Sequence, residues 1–187
     1  MARLAVYPGS FDPPTVAHLA IVEVALAHAE RVRLVLSAVA LGKEVPSGGT
    51  SVEARRAVLD VAVGPLRGAE VGVTEARLVV DIAEEAGADA VVVGSDKWAQ
   101  VVDPAWYGGS VEARDAVLAR LPTVLLVPRA DGGGGHPDAD PSAPLPRAVE
   151  VVRLELPDGL RTVSSTRARR GEPDLMVEAA RTSGHWG

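Results

Sequence analysis

Cysteine is absent from this 187-residue chain, which removes disulfide frameworks, Cys-ligated zinc and thiol nucleophiles together. Aromatic residues are only 3% of the chain, so a core must be built from Ala, Val and Leu. Lysine is nearly missing: 17 of the 19 basic residues are Arg, and only Lys43 and Lys97 are Lys. A surplus of positive charge is also lacking. The formal net charge is −6, and a general nucleic-acid binder is usually basic, so no nucleic-acid partner is expected. No apolar run approaches the roughly 18 residues of a membrane span. The start, Met1–Tyr7, lacks the longer apolar region and small-residue cleavage site of a secretory signal, so no membrane and a cytoplasmic location are expected. Neither a Gly-x-x-x-x-Gly-Lys-Ser/Thr loop nor a Gly-x-Gly-x-x-Gly turn occurs between a strand and a helix. No nucleophile elbow is visible, and His28, His136 and His185 have no metal-ligand spacing.

What is present is 47% hydrophobic sequence in a length that suits one domain, so residues 1–187 are read as a single α/β domain. Short Val/Leu runs alternate with longer helical patterns. Leu4–Tyr7, Arg33–Ser37, Glu70–Val73, Ala90–Val93, Val124–Val127 and Val149–Leu154 read as strands. Val16–Ala29, Thr50–Val61, Leu78–Ala86, Val111–Leu121, a segment from Ser164 and Asp174–Arg181 read as helical. Thr50 and Glu53 have the spacing of a capping box, and Gly87 that of a helix stop. Strands that are apolar without alternation are buried on both faces, which means a parallel sheet with helices on both sides. A doubly wound, Rossmann-like sheet follows, with ligands expected at the carboxyl ends of its strands. Residues 130–147, with the run Gly132–Gly135 and prolines 137, 141, 144 and 146, read as a flexible loop.

Two segments carry chemistry. The first is Gly9-Ser10-Phe11-Asp12-Pro13-Pro14-Thr15-Val16-Ala17-His18, directly after the first strand. A turn that enters a helix N-terminus presents backbone N–H groups and partial positive charge to phosphate oxygens. Thr15 and His18 lie in the first helical turn, where a hydroxyl and an imidazole can hold a phosphate and stabilise developing charge. The second is Val163-Ser164-Ser165-Thr166-Arg167-Ala168-Arg169-Arg170. Its hydroxyls suit a helix start, and Arg grips phosphate through two parallel hydrogen bonds.

These segments resemble the Gly-x-Phe-Asp-Pro-x-His-x-Gly-His and Ile-Ser-Ser-Thr-x-Ile-Arg signatures of the nucleotidyltransferase superfamily. Thr15 stands where most members have the first His, Ala17 where they have Gly, and Ala168 where they have the second Ile. The resemblance implies nucleotide binding by Gly9, Ser10, Phe11, Asp12, His18, Ser164, Ser165, Thr166 and Arg169. It implies catalytic roles for His18, Thr15, Lys43 and Arg169. Gly94-Ser95-Asp96 is similar to the Gly-x-Asp element of the nicotinate-mononucleotide adenylyltransferases, which adds Gly94 and Asp96 to the nucleotide site. Trp106-Tyr107 and Leu126-Val127-Pro128-Arg129 are similar to elements of the same branch, where a Trp stacks on the pyridine ring and an Arg contacts phosphate. Trp98 is a rival stacking candidate. Lys43, Arg55, Trp98, Trp106 and Arg129 are thus the implied acceptor contacts. Thr15, with the Lys43/Arg55 spacing, is also compatible with the pantetheine-phosphate branch.

The implied reaction transfers an adenylyl group from ATP to a phosphate-bearing acceptor and releases pyrophosphate. Mg²⁺ would be held mainly by substrate phosphates rather than by a dedicated protein site. CTP in place of ATP, pantetheine phosphate as acceptor, and a domain that binds nucleotide without catalysing all stay open, as does a homo-oligomer.

Overall fold

The computed structural model describes residues 1–37, 50–128 and 149–186. Its centre is a six-stranded sheet in which every pairing is parallel, in the order β3-β2-β1-β4-β5-β6. In chain order the elements are Ala2–Gly9 (β1), Val16–Ala25 (α1), Ala29–Ser37 (β2), Val52–Val63 (α2), Ala69–Thr74 (β3), Val79–Ala86 (α3) and Ala90–Gly94 (β4). Ser95–Val102 (α4), Val111–Leu118 (α5), Thr123–Val127 (β5), Val151–Arg153 (β6), Ser165–Arg169 (α6) and Glu178–Thr182 (α7) follow, with short 3₁₀ turns at Pro104–Tyr107 and Pro173–Leu175. The alternation of strand and helix gives a single α/β, Rossmann-like fold.

Side chains alternate across each strand, so one strand feeds two cores. Ala5, Tyr7, Leu34, Leu36, Val92 and Leu125 belong to the core shared with Ile21, Val22 and Leu59 of α1 and α2. Val6, Val35, Val91, Val93, Val124 and Leu126 face the opposite core with Val80, Ile82, Trp98 and Leu118. Burial on both faces is why these strands read as continuous apolar runs. A third, smaller cluster joins Val58 of α2 to Ala168, Met176, Val177 and Ala180.

Several sequence-derived boundaries shift. The first helix stops at Ala25 rather than Ala29, because Ala29 enters the sheet opposite Ala2. The second helix is capped by Ser51, whose side chain accepts from the Ala54 amide at 3.2 Å; Thr50 is not its cap. Gly87 does stop α3, at φ 59°, in the left-handed conformation that glycine adopts without strain. Ser95–Val102, for which the sequence pattern predicts no element, is a helix that starts directly off β4. The proposed loop at 130–147 lies outside the described residues. Among the described residues no helix is long and apolar enough to cross a membrane.

Candidate active site

The strand order reverses direction between β1 and β4, and that is where an open parallel sheet forms its ligand crevice, outside the carboxyl ends of the strands. Two helices begin at this edge: α1 after the turn that leaves β1, and α4 straight after Gly94. The first-turn amides of a helix lack helical partners and carry partial positive charge, so the crevice is lined for an anion.

The turn from Gly9 to Thr15 is built around one aromatic ring. Phe11 sits at φ 46°, and its side chain is fully buried. It meets Tyr7 edge-on at 5.3 Å between centroids and His18 at 5.1 Å. A Cβ on Gly9 would lie 2.8 Å from Phe11 Cζ, so glycine is required there by the ring rather than by the backbone angle.

Thr15 is the N-cap of α1 and is completely buried. Its backbone N–H donates to His18 Nδ1 at 2.9 Å, and its Oγ1 lies 3.0 Å from the same nitrogen. This is the returning arm of a capping box, with His in the place usually held by Glu or Gln. An amide N–H can only donate, so Nδ1 carries the lone pair and the neutral ring holds its proton on Nε2. His18 is therefore presented as a fixed Nε2–H donor, at 7% exposure. Ala17 is 2% exposed, so its methyl is covered by protein and does not project into open space.

The second segment arrives at the same place. Ser165 Oγ donates to the Pro13 carbonyl at 2.8 Å. Arg169 donates to the Asp12 carbonyl, and its Nη1 lies 3.7 Å from Asp12 Oδ2. Thr15 pairs with Met176 as an isolated antiparallel bridge, and the Val177 amide donates to the Pro14 carbonyl at 3.2 Å. Arg55, from the first turn of α2, donates to the Ser10 carbonyl at 2.6 Å. Ser164 caps α6 by accepting from the Arg167 amide at 3.2 Å, while Thr166 is exposed. The loop from Ser10 to Pro14 is thus bracketed through its carbonyls by three different elements, which turns its shape into a property of the whole fold.

Arg167 points away from this contact. It grips both carboxylate oxygens of Glu172 and the Thr162 carbonyl, and the Arg167 hydrogen bonds hold the Glu172 carboxyl below the usual range. The two arginines of α6 therefore have separate tasks: Arg167 anchors the helix, and Arg169 faces the loop.

Gly94 caps α4 at the crevice edge and Asp96 is exposed in its first turn. Trp98, one turn further, is 1% exposed and packs among the apolar residues behind the sheet. It offers no face to an acceptor, which corrects its reading as a stacking candidate. Trp106 is the opposite case, a 59% exposed ring on the 3₁₀ turn after α4. That turn is held by Tyr107, whose hydroxyl donates to the Val101 carbonyl at 2.8 Å and whose burial pushes its phenol upward. Lys43 and Arg129 lie outside the described residues.

Among the contacts that sequence reasoning missed, the one of greatest sequence separation is made by Trp186. Trp186 Nε1 donates to Asp12 Oδ1 at 2.6 Å, across 174 positions. Nothing in the local pattern around His185-Trp186 signals it. The helix at Ser95, by contrast, had a readable signal in the Ser-Asp start directly after a strand.

Residues 6–171 match a family model described as cytidylyltransferase-like. Among solved structures, the chain is similar to the nicotinic acid mononucleotide adenylyltransferase of Plasmodium falciparum, complexed with NaAD. The TM-score is 0.60 at 14% identity, over 91% of this chain and 83% of that one, a likeness of fold.

Proposed function

The chain belongs to the cytidylyltransferase-like family and is an enzyme of the nucleotidyltransferase type; from that premise we propose that it moves an adenylyl group from ATP to a phosphate-bearing acceptor, nicotinate mononucleotide first. One observation carries the reading. The Gly9–His18 and Ser164–Arg169 segments, at opposite ends of the chain, meet through Ser165–Pro13 and Arg169–Asp12 contacts at the crevice between β1 and β4.

The chemistry asks little of acid–base groups. A phosphate oxygen of the acceptor attacks the α-phosphorus, the bond to the bridging oxygen of the β-phosphate breaks, and pyrophosphate leaves. Positioning and charge neutralisation supply most of the catalysis. His18 is suited to this because Thr15 fixes its tautomer: the Nε2–H donates to a phosphate oxygen without carrying a proton away. Arg169 supplies a displaceable charge, since it rests on a carbonyl and on a carboxylate oxygen 3.7 Å away. Ser164, Ser165 and Thr166 stand beside it, and Gly94 and Asp96 line the β4 side. Lys43 and Arg55 would neutralise the acceptor phosphate with Arg129, and Trp106 would stack on the acceptor's ring. Mg²⁺ would arrive with the triphosphate on its own oxygens and water. Among the described residues no group of three or more His, Asp or Glu could hold it. Thr15 keeps pantetheine phosphate as the second acceptor.

The test is a pyrophosphate-release panel. ATP and CTP are each crossed with nicotinate mononucleotide, nicotinamide mononucleotide and pantetheine phosphate. Release with ATP and nicotinate mononucleotide above the other combinations is expected. ATP binding by calorimetry, with no pyrophosphate from any combination, would instead mark a nucleotide sensor.

A further inference from the structure

We infer that Trp186 is a positioning residue of the nucleotide site: its indole N–H holds one oxygen of the Asp12 carboxylate and so sets how firmly Asp12 retains Arg169. The inference rests on the reading of the site given above. Trp186 Nε1 lies 2.6 Å from Asp12 Oδ1, and Arg169 Nη1 lies 3.7 Å from Oδ2, so one carboxylate is divided between a neutral donor and a cation. An unshared Arg–carboxylate pair closes to about 2.7–2.9 Å and is often bidentate. Here Nη1 stands back from the carboxylate and donates instead to the Asp12 carbonyl. The weak hold on the carboxylate matters because Arg169 must leave Asp12 to meet a triphosphate. A carboxylate without the indole would draw the guanidinium in and compete with the incoming phosphate.

The indole is itself placed by the fold. It is half-buried against the cluster of Val58, Ala168, Met176 and Val177. It also meets the His185 ring edge-on at 5.8 Å, and Thr50 Oγ1 donates to the His185 carbonyl at 3.5 Å. α2, α6 and the catalytic loop thus converge on one side chain that no motif includes.

Trp186→Phe keeps the ring and removes only the N–H. Its expected effect is a rise in the KM for ATP of roughly 3–10-fold, the scale of one ordinary net hydrogen bond, with kcat nearly unchanged. In an Asp12→Asn background, where no carboxylate charge retains Arg169, the same substitution should leave the KM for ATP where it was. An unchanged KM for Trp186→Phe in an enzyme that turns over normally overturns the inference. So does an equal loss of kcat in both backgrounds, which would mark packing alone. A wild-type protein that releases no pyrophosphate and binds no ATP removes the reading of the site, and the inference falls with it. The cycle between the two variants separates these outcomes.

Discussion

Gly9→Ala tests the architecture of the Gly9–Thr15 turn with a single methyl group. Glycine at this position is not in the left-handed region, so the backbone accepts alanine and the penalty comes only from what the new Cβ meets. It meets the Phe11 ring at 2.8, 3.0 and 3.1 Å, where ordinary contact begins at 3.4 Å. The ring would have to withdraw by about 0.6 Å at its nearest atom, on the steep wall of the dispersion potential. Phe11 has nowhere easy to go, because Tyr7 and His18 stand edge-on to it and all three are buried. Overpacking of this kind costs about 1–3 kcal/mol. For a domain of this size that lowers the melting temperature by roughly 3–10 °C. The displaced ring also presses on His18, and in the role proposed for His18 a misplacement of around 1 Å can cost on the order of 100-fold in rate. Calorimetry should therefore show a destabilised Gly9→Ala protein whose kcat falls further than its stability loss accounts for. A second substitution, Phe11→Leu, should recover more stability in the Gly9→Ala background than the two single effects sum to. A Gly9→Ala protein that melts within about 1 °C of wild type would refute the packing account of this turn.

Three further outcomes follow from the same geometry. His18→Ala should lower kcat by about 100-fold, whereas Thr15→Val, which leaves the amide donor to Nδ1 in place, should cost clearly less; single-turnover assays at saturating ATP distinguish them. Trp98→Ala should cost about 3–5 kcal/mol in thermal unfolding, while Trp106→Ala should change stability by less than about 0.5 kcal/mol and raise only the KM for the acceptor. Glu172→Gln removes a carboxylate whose pKa is lowered by the Arg167 hydrogen bonds. A lowered folded pKa gives stability that is present above the unfolded value of about 4.3 and lost as pH falls through the folded one. The melting-temperature gap between wild type and Glu172→Gln should therefore be constant near neutrality and close only in the acid range.

The sheet was legible because its strands are apolar on both faces, and such runs as Val91-Val92-Val93 have few other places to go. Helix ends were less so. Ala27 and Ala29 favour helix locally, but Ala29 is recruited by pairing with Ala2, a preference that only the tertiary partner expresses. Trp98 was ambiguous for a related reason: with α4 unread, nothing said which way its ring points. At the site, the motifs marked both segments that meet at the Ser10–Pro14 loop but not what braces them. Carbonyl contacts such as Arg55 to Ser10 and Ser165 to Pro13 use backbone acceptors that every residue has, so they leave no trace in residue type. The Trp186–Asp12 pair links the most distant parts of the chain, and a single sequence holds no sign of that pairing.

The brackets around the Ser10–Pro14 loop also have a meaning in time. Its contacts to Ser165, Arg169 and Trp186 span 152, 157 and 174 positions. Contacts of such sequence separation close late in folding, and during synthesis they cannot close before residues 165–186 have been made. The strands of the sheet can pair as they emerge, with β1 first joined to β2 and its other edge waiting for β4. Of its braces only the Arg55 bond to the Ser10 carbonyl comes from the earlier part of the chain; the others wait for α6 and Trp186 to dock beside α2.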